Sequence, residues 1–156
     1  MFEFLKRKVR EIKSPVDGQI VALESVKDEV FSQKMAGDGV AIIPVSNIFT
    51  APIDGVVSKI FSTNHAFSIR STKDLEVMVH IGLDTVTLEG KGFERLVNEG
   101  DSVKAGDEII RVDLAYLQEH ARNIVTPIII SDDSDLKDIE KKYTIVKNQD
   151  VIMEVN

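Results

Sequence analysis

The stretch SPVDGQIV at residues 14–21 recurs as APIDGVVS at residues 51–58. In each copy a proline precedes an Asp-Gly pair, and branched apolar residues follow. Proline is tolerated where a strand begins, and Asp-Gly is typical turn chemistry. A third related segment, NEGDSVKAGDEI at 98–109, predicts a strand, a turn and a return. The repetition favours an internally duplicated β fold, although Pro-x-Asp-Gly is common enough to arise twice by chance.

The rest of the chain reads as short strands separated by turns rich in glycine, aspartate and asparagine. Segments rich in valine and isoleucine at 39–45, 55–61 and 126–130 predict strands. Helices are expected over 114–121, capped by Asp113, and over the charged stretch 134–142, with a turn near 30–34. We therefore expect a mainly β protein, an antiparallel sandwich or barrel-like arrangement with one or two short helices.

Composition narrows the class of protein. The chain has 156 residues, which suits one compact domain, and its formal net charge of −7 argues against nucleic acid as a partner. It contains no cysteine, which excludes disulfides, thiol catalysis and cysteine-based zinc sites. The start, MFEFLKRK, lacks the features of a signal peptide, and no apolar run approaches the roughly 18 residues of a spanning helix. We expect a cytoplasmic protein.

The segment EVMVHIGLD at 76–84 places a histidine on an alternating strand. Its valine, isoleucine and leucine side chains would face the core, so His80 would lie on the opposite face with Met78, Gly82 and Asp84. The missing side chain of Gly82 would leave space there for a ligand or a partner. A backbone carbonyl near Gly82 would orient the His80 ring.

A second histidine lies nearby in IFSTNHAFSI at 60–69. Read as a strand, this segment sets Phe61, Thr63 and His65 on one face, with Thr63 placed to orient the His65 ring. The short separation predicts a hairpin that brings His65 and His80 together. The third histidine, His120, lies in the expected helix and is read as a solvated residue.

Three interpretations of the histidine pair remain open on spacing alone. A neutral imidazole with one nitrogen held by a hydrogen bond presents the other as a nucleophile, which suits phosphoryl transfer. Zinc binding is the rival, with His65, His80 and Asp84 as three ligands. Both histidines are also compatible with ordinary surface positions.

The sequence resembles the glucose-type enzyme IIA family of the bacterial sugar phosphotransferase system. The resemblance runs from about residue 14 to residue 152 and is carried by SPVDG, FSQKMAGDGVAIIP, APIDG, TNHAFSI and VHIGLDTV, at 14–18, 31–44, 51–55, 63–69 and 79–86. It implies a sandwich or barrel with internal duplication, the duplicated hybrid motif. Residues 1–13 would be an N-terminal tail and 14–156 the domain.

The resemblance also implies roles for residues. His80 matches the histidine phosphorylated by the small carrier HPr, and His65 the second histidine, needed mainly to pass the group to a cysteine of a membrane-linked enzyme IIB. Thr63 matches the residue bonded to that second histidine, and Asp84 the acidic residue beside the site. Partners would dock on an apolar ring, with Met78 and Ile81 in place of aromatic residues common in enteric members: Phe31, Met35, Ala36, Phe61, Met78 and Ile81.

Further expectations concern partners and metals. The family's transfer chemistry requires no cofactor, but some enteric members use both histidines to share a zinc ion with a regulated partner, so zinc is an option at His65 and His80. Family members often also regulate transporters or kinases according to their phosphorylation state, and a chiefly regulatory binding module is the alternative function. We expect a monomer that visits the membrane only through the permease it serves.

Overall fold

The computed structural model describes residues 9–71, 75–131 and 138–156. Within them the chain folds mostly as strands: β1 (Arg10–Lys13), β2 (Gly18–Ala22), β3 (Gly37–Pro44), β4 (Ile48–Thr50), β5 (Gly55–Ile60), β6 (Ala66–Arg70), β7 (Glu76–His80), β8 (Phe93–Arg95), β9 (Ser102–Val103), β10 (Glu108–Val112), β11 (Thr126–Ser131), β12 (Ile139–Lys141), β13 (Ile145–Val146) and β14 (Val151–Val155). The helices are short: α1 (Glu29–Ser32), α2 (Leu114–His120) and two 3₁₀ turns, Leu23–Ser25 and Thr85–Leu88.

The strands form three antiparallel sheets. The largest has eight strands in the order β13-β2-β3-β11-β7-β6-β5-β9, and two three-stranded sheets have the orders β1-β14-β12 and β4-β10-β8. The expected mainly β, antiparallel fold with short helices is confirmed. In the described part of the chain, no helix combines the length and apolar character needed to cross a bilayer.

The internal duplication is visible at the two ends of the large sheet. At one end Gly18 of β2 pairs with Val146 of β13, and at the other Gly55 of β5 pairs with Val103 of β9. A Cβ at either glycine would lie 2.2 Å from a carbonyl oxygen of the adjacent strand, so only glycine fits both positions. The repeated Asp-Gly pairs thus begin equivalent strands.

The aspartates of the two copies make the same hydrogen bond. An Oδ1 atom of Asp17 accepts from the backbone N–H of Asn148 at 2.6 Å, and that of Asp54 accepts from the N–H of Ala105 at 2.8 Å. The segment at 98–109 therefore has a second copy at 141–152, which the sequence did not reveal. Each copy of the repeat therefore consists of a Pro-x-Asp-Gly segment and the hairpin that its aspartate binds.

The two copies also bind each other. The N–H of Lys13 donates to the carbonyl of Pro52 at 2.9 Å, and the N–H of Thr50 donates to the carbonyl of Pro15 at 2.8 Å. These reciprocal bonds relate the copies by an approximate two-fold axis. The prolines, which have no N–H to donate, contribute only their carbonyl groups here.

The N-terminal boundary differs from the expected one at residue 14. Residues Arg10–Lys13 form β1, which pairs with β14, and Ile12 is fully buried. Strand β1 is the duplicate of β4, since each precedes its copy of the Pro-x-Asp-Gly segment and pairs with the return strand of its hairpin. Residues Arg10–Lys13, placed in the tail from the sequence, therefore pack as a strand of the fold.

One helix prediction is confirmed and another is wrong. Helix α2 has Asp113 as its cap, with Oδ1 accepting from the N–H of Tyr116 at 3.1 Å. The charged helix expected over 134–142 is contradicted at Ile139–Lys141, which is strand β12 paired with β14, while 132–137 lie outside the described residues. Tertiary pairing overrides local propensity because Lys141 binds Asp38 at 2.7 Å and Ile139 packs on the core.

Candidate functional site

His80 ends strand β7 on the face away from the main core. The side chains of Val77 and Val79 point into the main core and are fully buried, whereas Met78 and His80 point the other way and are half-buried. The predicted alternation is confirmed for Val77, Val79 and Ile81, which belong to the main core, but it is wrong for Leu83, which lies beyond the end of the strand in a second cluster. On the His80 side of the strand a smaller apolar cluster includes Phe31 and Leu83, and Met78 packs against it. This cluster supports the surface on which His80 lies.

His65 reaches His80 through the hairpin of β6 and β7. Ala66 pairs with His80, and the N–H of Ile81 donates to the carbonyl of His65 at 2.8 Å. The two imidazole rings lie 5.0 Å apart between centroids, at an interplanar angle of 80°. The predicted hairpin is confirmed, but residues 61–65 form the turn between β5 and β6 instead of a strand. The N–H of Asn64 donates to the carbonyl of Phe61 within this turn, at 2.7 Å.

The His80 ring is fixed by a backbone acceptor. Its Nδ1 lies 2.7 Å from the carbonyl oxygen of Gly82. A carbonyl oxygen can only accept, so Nδ1 of a neutral His80 carries the proton and Nε2 carries the lone pair. The predicted orientation by a carbonyl near Gly82 is confirmed, and Nε2 is the ring nitrogen whose lone pair is left for other contacts.

The His65 ring is held by a side chain. The hydroxyl oxygen of Thr63 lies 2.5 Å from Nδ1 of His65. A hydroxyl can donate to an unprotonated Nδ1, in which case Nε2 of His65 is an N–H donor. Nδ1 is thus the engaged nitrogen in both rings, and Nε2 is the nitrogen left for an incoming group.

Burial favours the neutral form of both rings. His65 is only 3% exposed, and this burial, aided by the nearby His80, lowers the pKa of its imidazole to about 4. Burial also lowers the pKa of His80, against the opposing effects of the Gly82 hydrogen bond and of the charges on Asp28 and Asp84. At neutral pH the site offers a lone pair and an uncharged donor.

Gly82 does not leave the expected space for a ligand. Its φ is +78°, and a Cβ there would lie 2.7 Å from Cγ2 of Thr85 and 3.0 Å from the carbonyl oxygen of Asn123. The glycine is required by a left-handed backbone and close packing. Its contribution to the site is the carbonyl group that binds His80.

Two carboxylates flank a shallow cavity in front of His80. The cavity measures about 230 Å³, and its lining includes His80, Asp28, Asp84 and Phe31. Asp84 is 55% exposed and its carboxylate forms an ion pair of 2.9 Å with Arg122. The position of Asp84 beside the site agrees with expectation, while Asp28 is an addition.

The described part of the chain supplies no third metal ligand beside the two histidines. Among the described residues no group of three or more histidine, cysteine, aspartate or glutamate side chains is placed to hold a metal ion. The set His65, His80 and Asp84, weighed from spacing, is therefore wrong, because Asp84 turns to Arg122. The two Nε2 atoms amount to two of the four ligands that zinc takes.

The expected apolar ring is only partly exposed. Met35 is 64% exposed, Ala36, Phe61 and Met78 are half-buried, and Phe31 is buried with its ring centroid 5.1 Å from that of His80. Ile81 is wrong as a docking residue, since it is fully buried in the main core. Strand alternation alone places Ile81 on the core face, so the resemblance misled at this position.

Sequence reasoning missed several residues at this surface. Val30 and Val86 line the cavity and are 47% and 53% exposed. We call the apolar groups around the histidines the site rim: Val30, Phe31, Met35, Ala36, Phe61, Met78 and Val86. Asp28 could have revealed these residues from the sequence, because it is a typical helix cap: its side chain accepts from the N–H of Val30 at 3.0 Å at the start of α1. A cap just before the Phe31 motif would have placed Asp28 and Val30 here.

Comparison with protein families gives one assignment. Residues 10–136 match the model described as phosphoenolpyruvate-dependent sugar phosphotransferase system, EIIA 1. The match begins at Arg10, the first residue of β1, in agreement with the structural boundary.

Individual relatives give the same result. The chain is 48% identical over 144 residues to the PTS system glucose-specific EIIA component of Haemophilus influenzae, covering 92% of this chain and 87% of that protein. It is 50% identical over 127 residues to the N-acetylglucosamine-specific EIICBA component of Klebsiella pneumoniae, covering 81% of this chain and 20% of that protein. The solved structure of glucose permease IIA from Mycoplasma capricolum superposes with a TM-score of 0.88 and 41% identity, covering 95% of this chain and 96% of that one.

Proposed function

The chain belongs to the EIIA 1 family of the phosphoenolpyruvate-dependent sugar phosphotransferase system, and on that premise we propose that His80 is its covalent phosphoryl acceptor. As a family member it is a phosphotransferase component that relays phosphoryl groups for sugar uptake. The observation that carries the assignment to His80 is the 2.7 Å contact between its Nδ1 and the carbonyl of Gly82, which leaves Nε2 as the nucleophile.

In the first step the lone pair on Nε2 of His80 attacks the phosphorus of phospho-HPr in line. The N–P bond to Nε2 forms as the donor's bond to phosphorus breaks, and the donor keeps that electron pair. The proton stays on Nδ1 of His80 throughout, donated in a hydrogen bond to the carbonyl oxygen of Gly82. The phosphoryl group brings about −1.5 to −2 charges at neutral pH, and an N–H of His65 stabilises its oxygens.

In the second step a cysteine thiolate of enzyme IIB attacks the phosphorus. The N–P bond breaks and its electron pair returns to Nε2, which restores neutral His80. Thr63 donates to Nδ1 of His65, so that Nε2–H of His65 faces the moving phosphoryl oxygens. Positioning supplies most of the rate, because the phosphoryl group arrives activated and no cofactor or metal takes part.

Docking is proposed to use the site rim with its two carboxylates. Val30 and Val86 present exposed apolar surface in the cavity beside His80, and the exposed Met35 lies next to Val30, to whose carbonyl its N–H donates at 2.9 Å. Asp28 adds negative charge there, beside the ion pair of Asp84 with Arg122. Such a surface suits partners with apolar centres and basic edges that bind briefly and leave. HPr and enzyme IIB would use it in turn, each meeting a monomer of this chain.

The test is phosphorylation with phosphoenolpyruvate, enzyme I and HPr. The wild-type chain should take one phosphoryl group on histidine, and His80→Gln should take none. His65→Gln should accept the group but pass it slowly to enzyme IIB. Stoichiometric labelling of His80→Gln would refute the assignment of the acceptor, and normal sugar phosphorylation with His65→Gln would refute the helper role.

A regulatory role is the second candidate and uses the same surface. Phosphorylation of His80 would add negative charge at the centre of the site rim, so binding of transporters or kinases there would depend on the phosphorylation state. A pull-down with both states of the protein tests this. Equal capture of a partner by the two states would contradict a switch.

A further inference from the structure

Arg95 reaches the turn that carries His65 from a different sheet. It lies at the end of β8, which pairs with β10 in one of the three-stranded sheets. The turn at 61–65 joins β5 and β6 of the eight-stranded sheet. The Nε–H of Arg95 donates to Oδ1 of Asn64 at 2.7 Å, and an Nη2–H donates to the carbonyl of Phe61 at 3.4 Å. The guanidinium thus binds the turn at two points.

The turn needs such support because of its backbone. Asn64 has a φ of +61°, in the left-handed region that a residue with a Cβ adopts at a cost. Asparagine tolerates this region better than most residues, and here its side-chain amide is the group that Arg95 binds. Arg95 therefore acts on the strained residue of the turn.

Asn64, which Arg95 holds, lies between Thr63 and His65 in the sequence. Thr63 precedes Asn64 and His65 follows it, so a rotation of the backbone at Asn64 would alter the Thr63–His65 contact. Phe61, whose carbonyl is the second acceptor, packs its ring 5.2 Å from that of His65. His80 is fixed separately, by Gly82 on the next turn.

We infer that Arg95 is a positioning residue for the step in which the phosphoryl group leaves His80: it holds the left-handed turn at Asn64, and through it Thr63 and His65. This inference rests on the proposed function of the histidine pair. Acceptance from phospho-HPr depends on Nε2 of His80 and is affected much less.

The substitutions follow from the geometry. Arg95→Met removes both donors but keeps much of the apolar stem. Arg95→Lys keeps the charge but loses the planar fork that reaches two acceptors, so it should retain most of the defect. Arg111→Met is the matched control, because Arg111 is a similarly exposed arginine on the adjoining strand, with an ion pair of 2.7 Å to Glu94.

A second route avoids dependence on Arg95 variants that fold poorly. Asn64→Gly removes the acceptor while glycine adopts the left-handed backbone freely. If Arg95 acts through Asn64, this variant should show the defect of Arg95→Met, and the double variant should be no slower than either. Multiplicative losses in the double variant would contradict the inference.

The experiment measures two rates with the full chain: labelling by phospho-HPr, and transfer from the preformed phosphoprotein to enzyme IIB. We expect Arg95→Met to slow the transfer to enzyme IIB about tenfold, through kcat with KM unchanged, and to slow labelling by phospho-HPr less than about twofold.

The NMR chemical shifts of the His65 ring should change in Arg95→Met and remain unchanged in Arg111→Met. Wild-type transfer by Arg95→Met alongside defective His65→Gln would overturn the inference alone. Normal transfer by His65→Gln would instead overturn the proposed function.

Discussion

The Nδ1 atom of His80 lies 2.7 Å from the carbonyl oxygen of Gly82, two residues further along the chain. The strand ends at His80 and the backbone turns into the left-handed region at Gly82, which directs this carbonyl back to the ring. The protonation of the imidazole is therefore determined by the backbone. Any change that moves the turn at 82 should move the nucleophile.

Gly82→Ala should destabilise the fold and slow phosphorylation. The new Cβ would meet Thr85 at 2.7 Å and would require a left-handed alanine, at a combined cost of about 3 kcal/mol in the free energy of unfolding. Denaturant unfolding and the rate of labelling by phospho-HPr are the measurements.

The matched control is Gly100→Ala. Gly100 also has a positive φ, +92°, but nothing lies within 4 Å of a Cβ there. The free energy of unfolding of Gly100→Ala should be about 1 kcal/mol lower than that of the wild type, and phospho-HPr should label the variant at the wild-type rate. Equal losses for the two variants would show that the packing at Gly82 is unimportant.

Thr63→Val should slow the transfer to enzyme IIB about tenfold while leaving the labelling of His80 nearly unchanged. Valine keeps the shape of threonine but lacks the hydroxyl that bonds Nδ1 of His65 at 2.5 Å. Thr63→Ser keeps the hydroxyl and should recover most of the rate. If valine and serine behave alike in a rapid-quench assay, the hydrogen bond does not orient His65.

The low pKa of His65 should make stability depend on pH. In the unfolded chain His65 takes a proton as the pH falls through about 6.5, whereas the folded ring stays neutral down to about 4. The unfolded state binds more protons in this window, so the free energy of unfolding falls as the pH falls, by up to about 3 kcal/mol below its value at pH 8. Burial also lowers the pKa of His80, so this residue too should lower the free energy of unfolding as the pH falls.

His65→Gln isolates this effect, because the variant keeps all carboxylates and His80. Its free energy of unfolding should decline less than that of the wild type between pH 6.5 and 4, when each is referred to its own value at pH 8. Parallel curves for the two proteins would mean that the pKa of His65 is not depressed.

The duplicated aspartates should contribute alike to stability. Asp17→Ala and Asp54→Ala each remove an acceptor from a backbone N–H, of Asn148 and Ala105, and should each cost about 1 kcal/mol. Asp→Asn at either position keeps an oxygen acceptor and should cost less. Chemical denaturation measures all four variants. A large loss at one position and none at the other would contradict their equivalence.

The duplication could be predicted only for the parts that kept its turn residues. The Pro-x-Asp-Gly segments revealed one half, but the hairpin at 141–152 has Gln149 where its copy has Gly106. Gln149 adopts a φ of +78° and compensates through side-chain hydrogen bonds, such as that from Nε2 to Oγ1 of Thr50 at 3.1 Å. A glycine-based turn pattern misses such a residue.

In the site, too, the sequence predicted the residues whose positions depend on their neighbours in the chain and missed those that the fold brings in from elsewhere. Alternation along β7 placed His80, and the short separation placed His65 beside it, because both depend on neighbours in sequence. Arg95 and Arg122 lie on other elements and reach Asn64 and Asp84 only through the fold. No local pattern marks such contacts, and the resemblance alone misassigned Ile81.

The central claim is that the phosphoryl group is carried on Nε2 of His80, and ¹⁵N NMR of the phosphoprotein with labelled histidines tests it most directly. We predict phosphorus coupling at Nε2 of His80, with the Nδ1 proton of that ring retained and no coupling at His65. Coupling at Nδ1 of His80, or at either nitrogen of His65, would contradict the claim.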